Sequence, residues 1–174
     1  PRYFFVDLTV NGEYKGVMAF EEHFSKELLE SQGRKEGVIL KFDESLQVGN
    51  YSSLTFDNYM NNLIKPFRQN RISKSKELSG HLETAIGLLR GFAHGTLSSS
   101  QVFDVELMGR FLAVSSVWGA WHPMRWHNIR LYYNPITARL EPVAYDGSLH
   151  YFKRKSVEPS HDPFFASLLE TDLG

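Results

Sequence analysis

The chain has 174 residues, a formal net charge of −1 and no cysteine. That length suits one domain with a real core. The near-zero charge excludes a global basic field for nucleic acid or anionic lipid, so any anion site must be local. The lack of cysteine excludes thiol catalysis, Cys-ligated zinc and disulfides, and leaves the compartment open. Hydrophobic residues make up 42% and charged residues 22%, a globular balance. No apolar run approaches the ~20 residues of a spanning helix.

The chain begins at Pro1 and runs directly into "YFFVDLTV", an alternating strand pattern rich in aromatic and β-branched residues. "NGEYKG" is a turn and "VMAF" the returning strand, because Asn-Gly between two such runs is a strong hairpin signal. "EEHFSKELLESQG" predicts a short helix with Phe24 and Leu28 on one face and Gly33 at its end. "GVILKFDE" predicts a third strand, with Val38, Leu40 and Phe42 on one side and Ile39, Lys41 and Asp43 on the other. Residues 44–58 are polar and irregular, with "VGNYSS" as a loop. "NLIKPFR" is an edge strand or a loop, since Pro66 forbids a central one.

From Ser73 to about Phe92 the pattern is helical, with Leu78, Leu82, Ile86 and Leu89 on one stripe. Asp104 caps a second long helix, whose buried side is expected to hold Phe103, Leu107, Phe111, Val114 and Trp118. A closing hairpin turns at "NPIT". The chain stops at "ASLLETDLG", soon after another helical pattern begins. Residues 1–174 therefore read as a single domain cut from a longer protein at both ends, so a lost signal peptide would leave no trace. Strands dominate the first third, helices the middle, and a hairpin follows. That order predicts an α+β fold, in two lobes.

The closing hairpin, "WHNIRLYYNPITARLEPVAYDG", carries two oxygen ligands for a hard cation. If "NPIT" makes the turn, Asn128 lies opposite Val143 and Asp146 follows within ~10 Å. A bend at Tyr145-Asp146-Gly147, where Gly147 gives the backbone freedom, could let both side chains share one magnesium, which takes few protein oxygens and the rest from phosphate and water. The plainer reading is an Asn at a strand start and an Asp-Gly turn, both common for backbone reasons. His122, His127 and His150 make a zinc hydrolase imaginable, but the His122–His127 spacing suits neither a helix nor a strand pair. His122 precedes Pro123, which biases it to an extended backbone. Trp118, Trp121 and Trp126 read as core or pocket wall. Lys41 in mid-strand faces solvent by default. Sharing a face with Ile39, it could instead sit partly covered and meet a phosphate as a point charge.

The stretches "NGEYKGVMAFEEHF", "EGVILKFDE", "FDVELMGRFLAVSSVWGAWH", "WHNIRLYYNP" and "RLEPVAYDG", in this order, resemble the CotH kinase family, the spore-coat-protein-H type of atypical protein kinase-like domain. The resemblance implies a reduced, two-lobed kinase-like fold with an ATP pocket between the lobes. It implies that the first hairpin, with Gly12 and Gly16, covers the phosphates and that Lys41 contacts them. Asn128 and Asp146 would be the ligands of Mg or Mn, as in the kinase catalytic loop and Asp-Phe-Gly motif. Many family members carry an Asp a few residues before the Asn, as catalytic base. Here His122 is the nearest equivalent, and no Asp or Glu occurs between Glu106 and Glu141. The loop resembles a family branch with "H…WHN", and a neutral His can accept a proton near pH 7. Glu21, Glu22, Glu77 and Glu83 are all candidate partners for Lys41.

The expected activity is ATP- and Mg- or Mn-dependent phosphoryl transfer to a protein or small-molecule hydroxyl, with His122 and Asp146 catalytic. The alternative is a pseudokinase, a nucleotide-binding or structural scaffold in a spore coat or cell envelope. The least favoured reading is an interaction module that keeps the fold without the pocket. Expected partners are a nucleotide and a protein substrate or coat or envelope protein, with no nucleic acid and no membrane span in this chain. The spore coat, the cell envelope or secretion would suit those partners.

Overall fold

A computed structural model describes residues 1–43, 56–120, 122–147 and 162–170. β1 (Tyr3–Val10) and β2 (Glu13–Glu21) form the first hairpin. Asn11 and Gly12 take positive φ of 53° and 83°, as an Asn-Gly turn of this hand requires. A bulge between Leu8 and Thr9 is met across the ladder by Gly16, at φ 96°. The two strands make a sheet of their own. Its aromatic side chains stand out on both faces, with Phe5 71% exposed.

α1 (Lys26–Ser31) ends at Gly33, which adopts the left-handed conformation (φ 66°) expected of a helix stop. β3 (Ile39–Phe42), the short helix α2 (Phe56–Asn61) and β4 (Ile64–Pro66) follow. The predicted irregular run over 44–58 is therefore helical from Phe56, and "VGNYSS" lies outside the described residues. α3 (Gln69–Ile72) precedes α4 (Lys76–Ala93), which Ser75 caps by accepting from the Leu78 N–H. α5 (Ser99–Val102) leads into α6 (Val105–Trp118), capped by the Asp104 carboxylate on the Leu107 N–H at 3.0 Å. A 3-10 turn (His122–Met124), β5 (Leu131–Asn134), β6 (Arg139–Pro142) and α7 (Pro163–Glu170) complete the described elements.

The second sheet is antiparallel, in the order β4-β3-β5-β6. Pro66 sits in its edge strand, where a missing N–H does no harm. The alternation predicted for β3 holds, and both faces are covered. Val38, Leu40 and Phe42 enter the main core with Leu89, Phe92, Phe111, Trp126 and Phe164. Ile39 and Tyr132 pack on the other face against Leu28 and Leu29 of α1. The α+β expectation is met by two antiparallel sheets among several helices, an arrangement compatible with a reduced kinase-like domain.

Three local expectations need correction. α6 buries Met108, Phe111 and Ser115, whereas Val114 (58%) and Trp118 (52%) are exposed. Its rotation is set at its start, where Phe103 bridges to Leu140 and the Asp104 N–H donates to the Leu140 carbonyl. An apolar stripe alone cannot choose between two overlapping faces. On α4 the buried line runs through Leu78, Ala85, Leu89 and Phe92, with Leu82 and Ile86 only half-buried. In the last hairpin Asn134 stays in the strand, opposite Arg139, with Ala138 in the left-handed slot (φ 54°). The turn is thus one residue later than "NPIT", and the register moves by two. The Val143 N–H donates to the Arg130 carbonyl, and continuing that ladder sets Tyr145, not Val143, opposite Asn128.

Candidate functional site

The register of β3, β5 and β6 assembles the site. Lys41 pairs with Lys65 across β4, and continuing the β3–β5 ladder puts Lys41 opposite Arg130. Three cations thus form a row across one face of the sheet. Lys65 is neutralised by Asp43 at 2.6 Å. Lys41 lies over the Phe67 ring at 5.4 Å, and the buried Arg130 guanidinium faces the same ring at 5.6 Å. Arg130 also stacks on Tyr145 at 4.8 Å and donates to Asn128 Oδ1 at 3.3 Å. Such stacking keeps a guanidinium charged with little water around it. Lys41 makes no ion pair among the described residues. Of the four candidate glutamates, Glu22 pairs with Arg2 and Glu77 with Lys35, while Glu21 and Glu83 are exposed.

At the far end of this row His122, Asn128 and Asp146 converge. His122 Nδ1 lies 2.6 Å from Asp146 Oδ2 and 3.1 Å from Asn128 Nδ2. The Asn128 amide nitrogen also donates to the His122 carbonyl at 3.0 Å. A carboxylate can only accept, so the short contact puts the proton on His122 Nδ1 and leaves Nε2 as the basic nitrogen. His122 and Asp146 are exposed, whereas Asn128 is buried. His122 does not adopt the extended backbone expected before proline. It opens the 3-10 turn, because Pro123 fits the first turn of a helix, where its missing N–H is not needed.

Asp146 adopts a positive φ of 44° itself. The bend expected over Tyr145-Asp146-Gly147 is therefore present, centred on Asp146. Gly147 would meet only Ala120 Cβ at 3.8 Å if given a side chain, an ordinary contact. Asp is among the residues that tolerate the left-handed region, at a cost of about 1 kcal/mol. Strain of this kind persists where the surroundings enforce it, often at functional sites.

For a hard dication the donor set offers one carboxylate, Asp146, and one amide, Asn128. Magnesium accepts such a sparse set when phosphate and water complete its shell. Asp146 fits, since one of its oxygens can serve a metal while the other serves His122. Asn128 fits on rotating its amide, because here Oδ1 accepts from Arg130 and from the Tyr145 hydroxyl. No cluster of three His, Asp or Glu occurs among the described residues.

Gly12 and Gly16 lie in the first hairpin, where an added side chain would meet nothing within 4 Å. A cavity of about 420 Å³ is lined by Arg2, Leu28, Leu29, Tyr132, Glu141 and Val143, among others. Val143 is the ladder neighbour of Arg130, so the cavity adjoins the row. Burial and Glu141 push the Tyr132 phenol up to about 12, so it stays neutral and donates to the Lys35 carbonyl at 2.7 Å.

Arg130 is a site residue that the sequence reading misses. Its signal is the period-2 alternation leading into β5, which puts Arg130 on the face of Tyr132. Trp126 is fully buried in the core as expected, Trp118 is exposed, and Trp121 and His150 lie outside the described residues.

A family model described as CotH kinase protein matches residues 1–166. No curated protein matches the chain. No helix among the described residues is long and apolar enough to cross a membrane.

Proposed function

The chain belongs to the CotH kinase family, and from that premise we propose that it is an ATP- and Mg- or Mn-dependent enzyme that transfers a phosphoryl group to a protein or small-molecule hydroxyl. The observation that carries this reading is the convergence of His122, Asn128 and Asp146 at one end of the Lys41–Arg130 row. Phosphoryl transfer needs positioning and charge stabilisation more than covalent chemistry. Lys41 meets phosphate oxygens as a point charge. Asp146, helped by Asn128, would hold the dication, which when bound would neutralise phosphate charge. The Asp146 carboxylate also fixes the His122 tautomer, so Nε2 accepts the hydroxyl proton as the acceptor oxygen attacks the terminal phosphorus and the nucleoside diphosphate leaves. The cavity beside Val143 gives the rest of the nucleotide an apolar wall.

A second reading, a nucleotide-binding pseudokinase or scaffold of a coat or envelope assembly, draws support from two observations. A His stands at the base position, and the Asn128 oxygen is turned to Tyr145 and Arg130. Both readings need Asp146. A thermal-shift titration with ATP, with and without magnesium or manganese, should show metal-dependent stabilisation in the parent and none in Asp146→Asn. Without metal the two should melt alike. Equal stabilisation of the mutant by Mg-ATP would sink the metal assignment, and a much lower metal-free melting point would make Asp146 a structural turn-former. Phosphate transfer from labelled ATP then separates enzyme from scaffold.

A further inference from the structure

We propose that Asp162 is a positioning residue, whose carboxylate fixes the backbone of Trp126 and thereby the placement of His122 and Asn128, the groups to which the proposed function assigns chemistry. Asp162 stands at the start of α7 and is 4% exposed. Its Oδ1 accepts from the Phe164 N–H at 3.1 Å, as a helix cap does. Its Oδ2 leaves the helix and accepts from the Trp126 N–H at 2.9 Å, 36 residues earlier in the chain. A cap alone would need only the first bond.

Trp126 is a suitable handle. Its ring is fully buried, edge-on to Phe42 at 5.5 Å. Next to it, the Arg125 carbonyl accepts from both Asn128 N–H and Ile129 N–H at 2.8 Å. Asp162 therefore grips the segment between His122 and Asn128, from a separate helix. The arrangement is kept although burial pushes the Asp162 carboxyl up to about 6, against the opposing pull of the backbone N–H groups and Arg125. Among the described residues, Tyr59 and Arg125 act on it electrostatically. An exposed cap would avoid that cost.

Asp162→Ser separates the two roles, since serine caps helices well but is too short to hold both amides. Amide hydrogen exchange followed by NMR on the whole chain should show Trp126, Asn128 and Ile129 exchanging about tenfold faster or more in this variant. Amides of α4, and Ala166 in α7, should keep their protection. ATP turnover should fall about tenfold while the dissociation constant for Mn-ATP changes by less than about threefold. Parent-like exchange at Trp126 through Ile129 would overturn the proposal, as would a turnover equal to the parent's. A parent that fails to bind Mn-ATP would count against the proposed function alone, and the exchange comparison would still decide the clamp. If the serine variant does not fold, the parent suffices. The Trp126 amide shift should titrate with the Asp162 carboxyl between about pH 5 and 7, and a flat response would overturn the proposal.

Discussion

Replacing Trp126 with alanine should cost the domain roughly 3–5 kcal/mol. The side chain is fully buried and meets Phe42, Tyr59 and His127 edge-on, with ring centroids 5.5, 6.0 and 5.7 Å away. A Trp of this kind removes ~150–250 Å² from water. At about 25 cal/mol per Å² that is roughly 4–6 kcal/mol, an upper bound because the unfolded chain already hides some of it. A domain of this size is stable by about 5–15 kcal/mol. The loss of ~4 kcal/mol should lower the melting temperature by roughly 8–16 °C. Trp126→Phe should cost only about 1–2 kcal/mol. It keeps an aromatic edge for Phe42, and the indole N–H it removes has no acceptor among the described residues. Urea unfolding of the three proteins, with the slope held constant, measures both differences. An alanine variant within about 1 kcal/mol of the parent would refute the packing argument. A phenylalanine variant as weak as the alanine one would reveal a hydrogen bond to the indole.

Lys41→Ala should weaken ATP binding about tenfold, with little change in melting temperature, because a lysine of this exposure carries little packing. Unchanged affinity in calorimetry would remove Lys41 from the site. His122→Ala should lower transfer while leaving metal-dependent ATP binding intact, and loss of magnesium or manganese uptake instead would mark it as a ligand. The Asp162 carboxyl, raised from 3.8 to about 6 in the folded state, binds its proton more tightly there than when unfolded. Its stabilising contribution is therefore full below about pH 4 and is lost as pH rises through 6, by up to roughly 3 kcal/mol. Asn cannot titrate, so the parent should lose about that much stability relative to Asp162→Asn between pH 4 and 7 in urea titrations. A constant gap would mean that burial does not raise this carboxyl.

Much of the frame could be read from the chain because local chemistry decided it. Asn11-Gly12 sets its turn, Asp104 its helix start and Pro66 its edge strand, each through a backbone requirement satisfied within a few residues. The alternation of Val38 to Asp43 likewise identified the two faces of β3. What failed depended on distant partners. The buried side of α6 follows from the bridge between Phe103 and Leu140, 37 residues downstream. The hairpin register turned on whether Asn134 joins the strand, which its bonds to Glu141 and to the Ile136 N–H decide. Of the candidate site, the sequence singles out Lys41, Asn128, His122 and Asp146, and the fold brings His122 within hydrogen-bonding reach of both Asn128 and Asp146. Arg130 is not singled out, because an arginine in a strand reads as solvent-facing until the sheet is assembled. Asp162 is not either, although Asp-Pro ahead of "FFASLL" is a helix-start signature.

The pairing of β3 with β5 has a kinetic consequence. Leu40 meets Leu131 about ninety residues along the chain, and the two long helices lie between them. Closing a loop of that length costs roughly 4 kcal/mol in chain entropy before any contact repays it. Helices and hairpins close locally within microseconds, so this strand pairing is expected to be a late step, and it is the step that brings Lys41 beside Arg130. Early folding intermediates would then hold both halves of the site but no site. A nucleotide that needs both halves would bind only the finished domain and would slow its unfolding more than it speeds its folding.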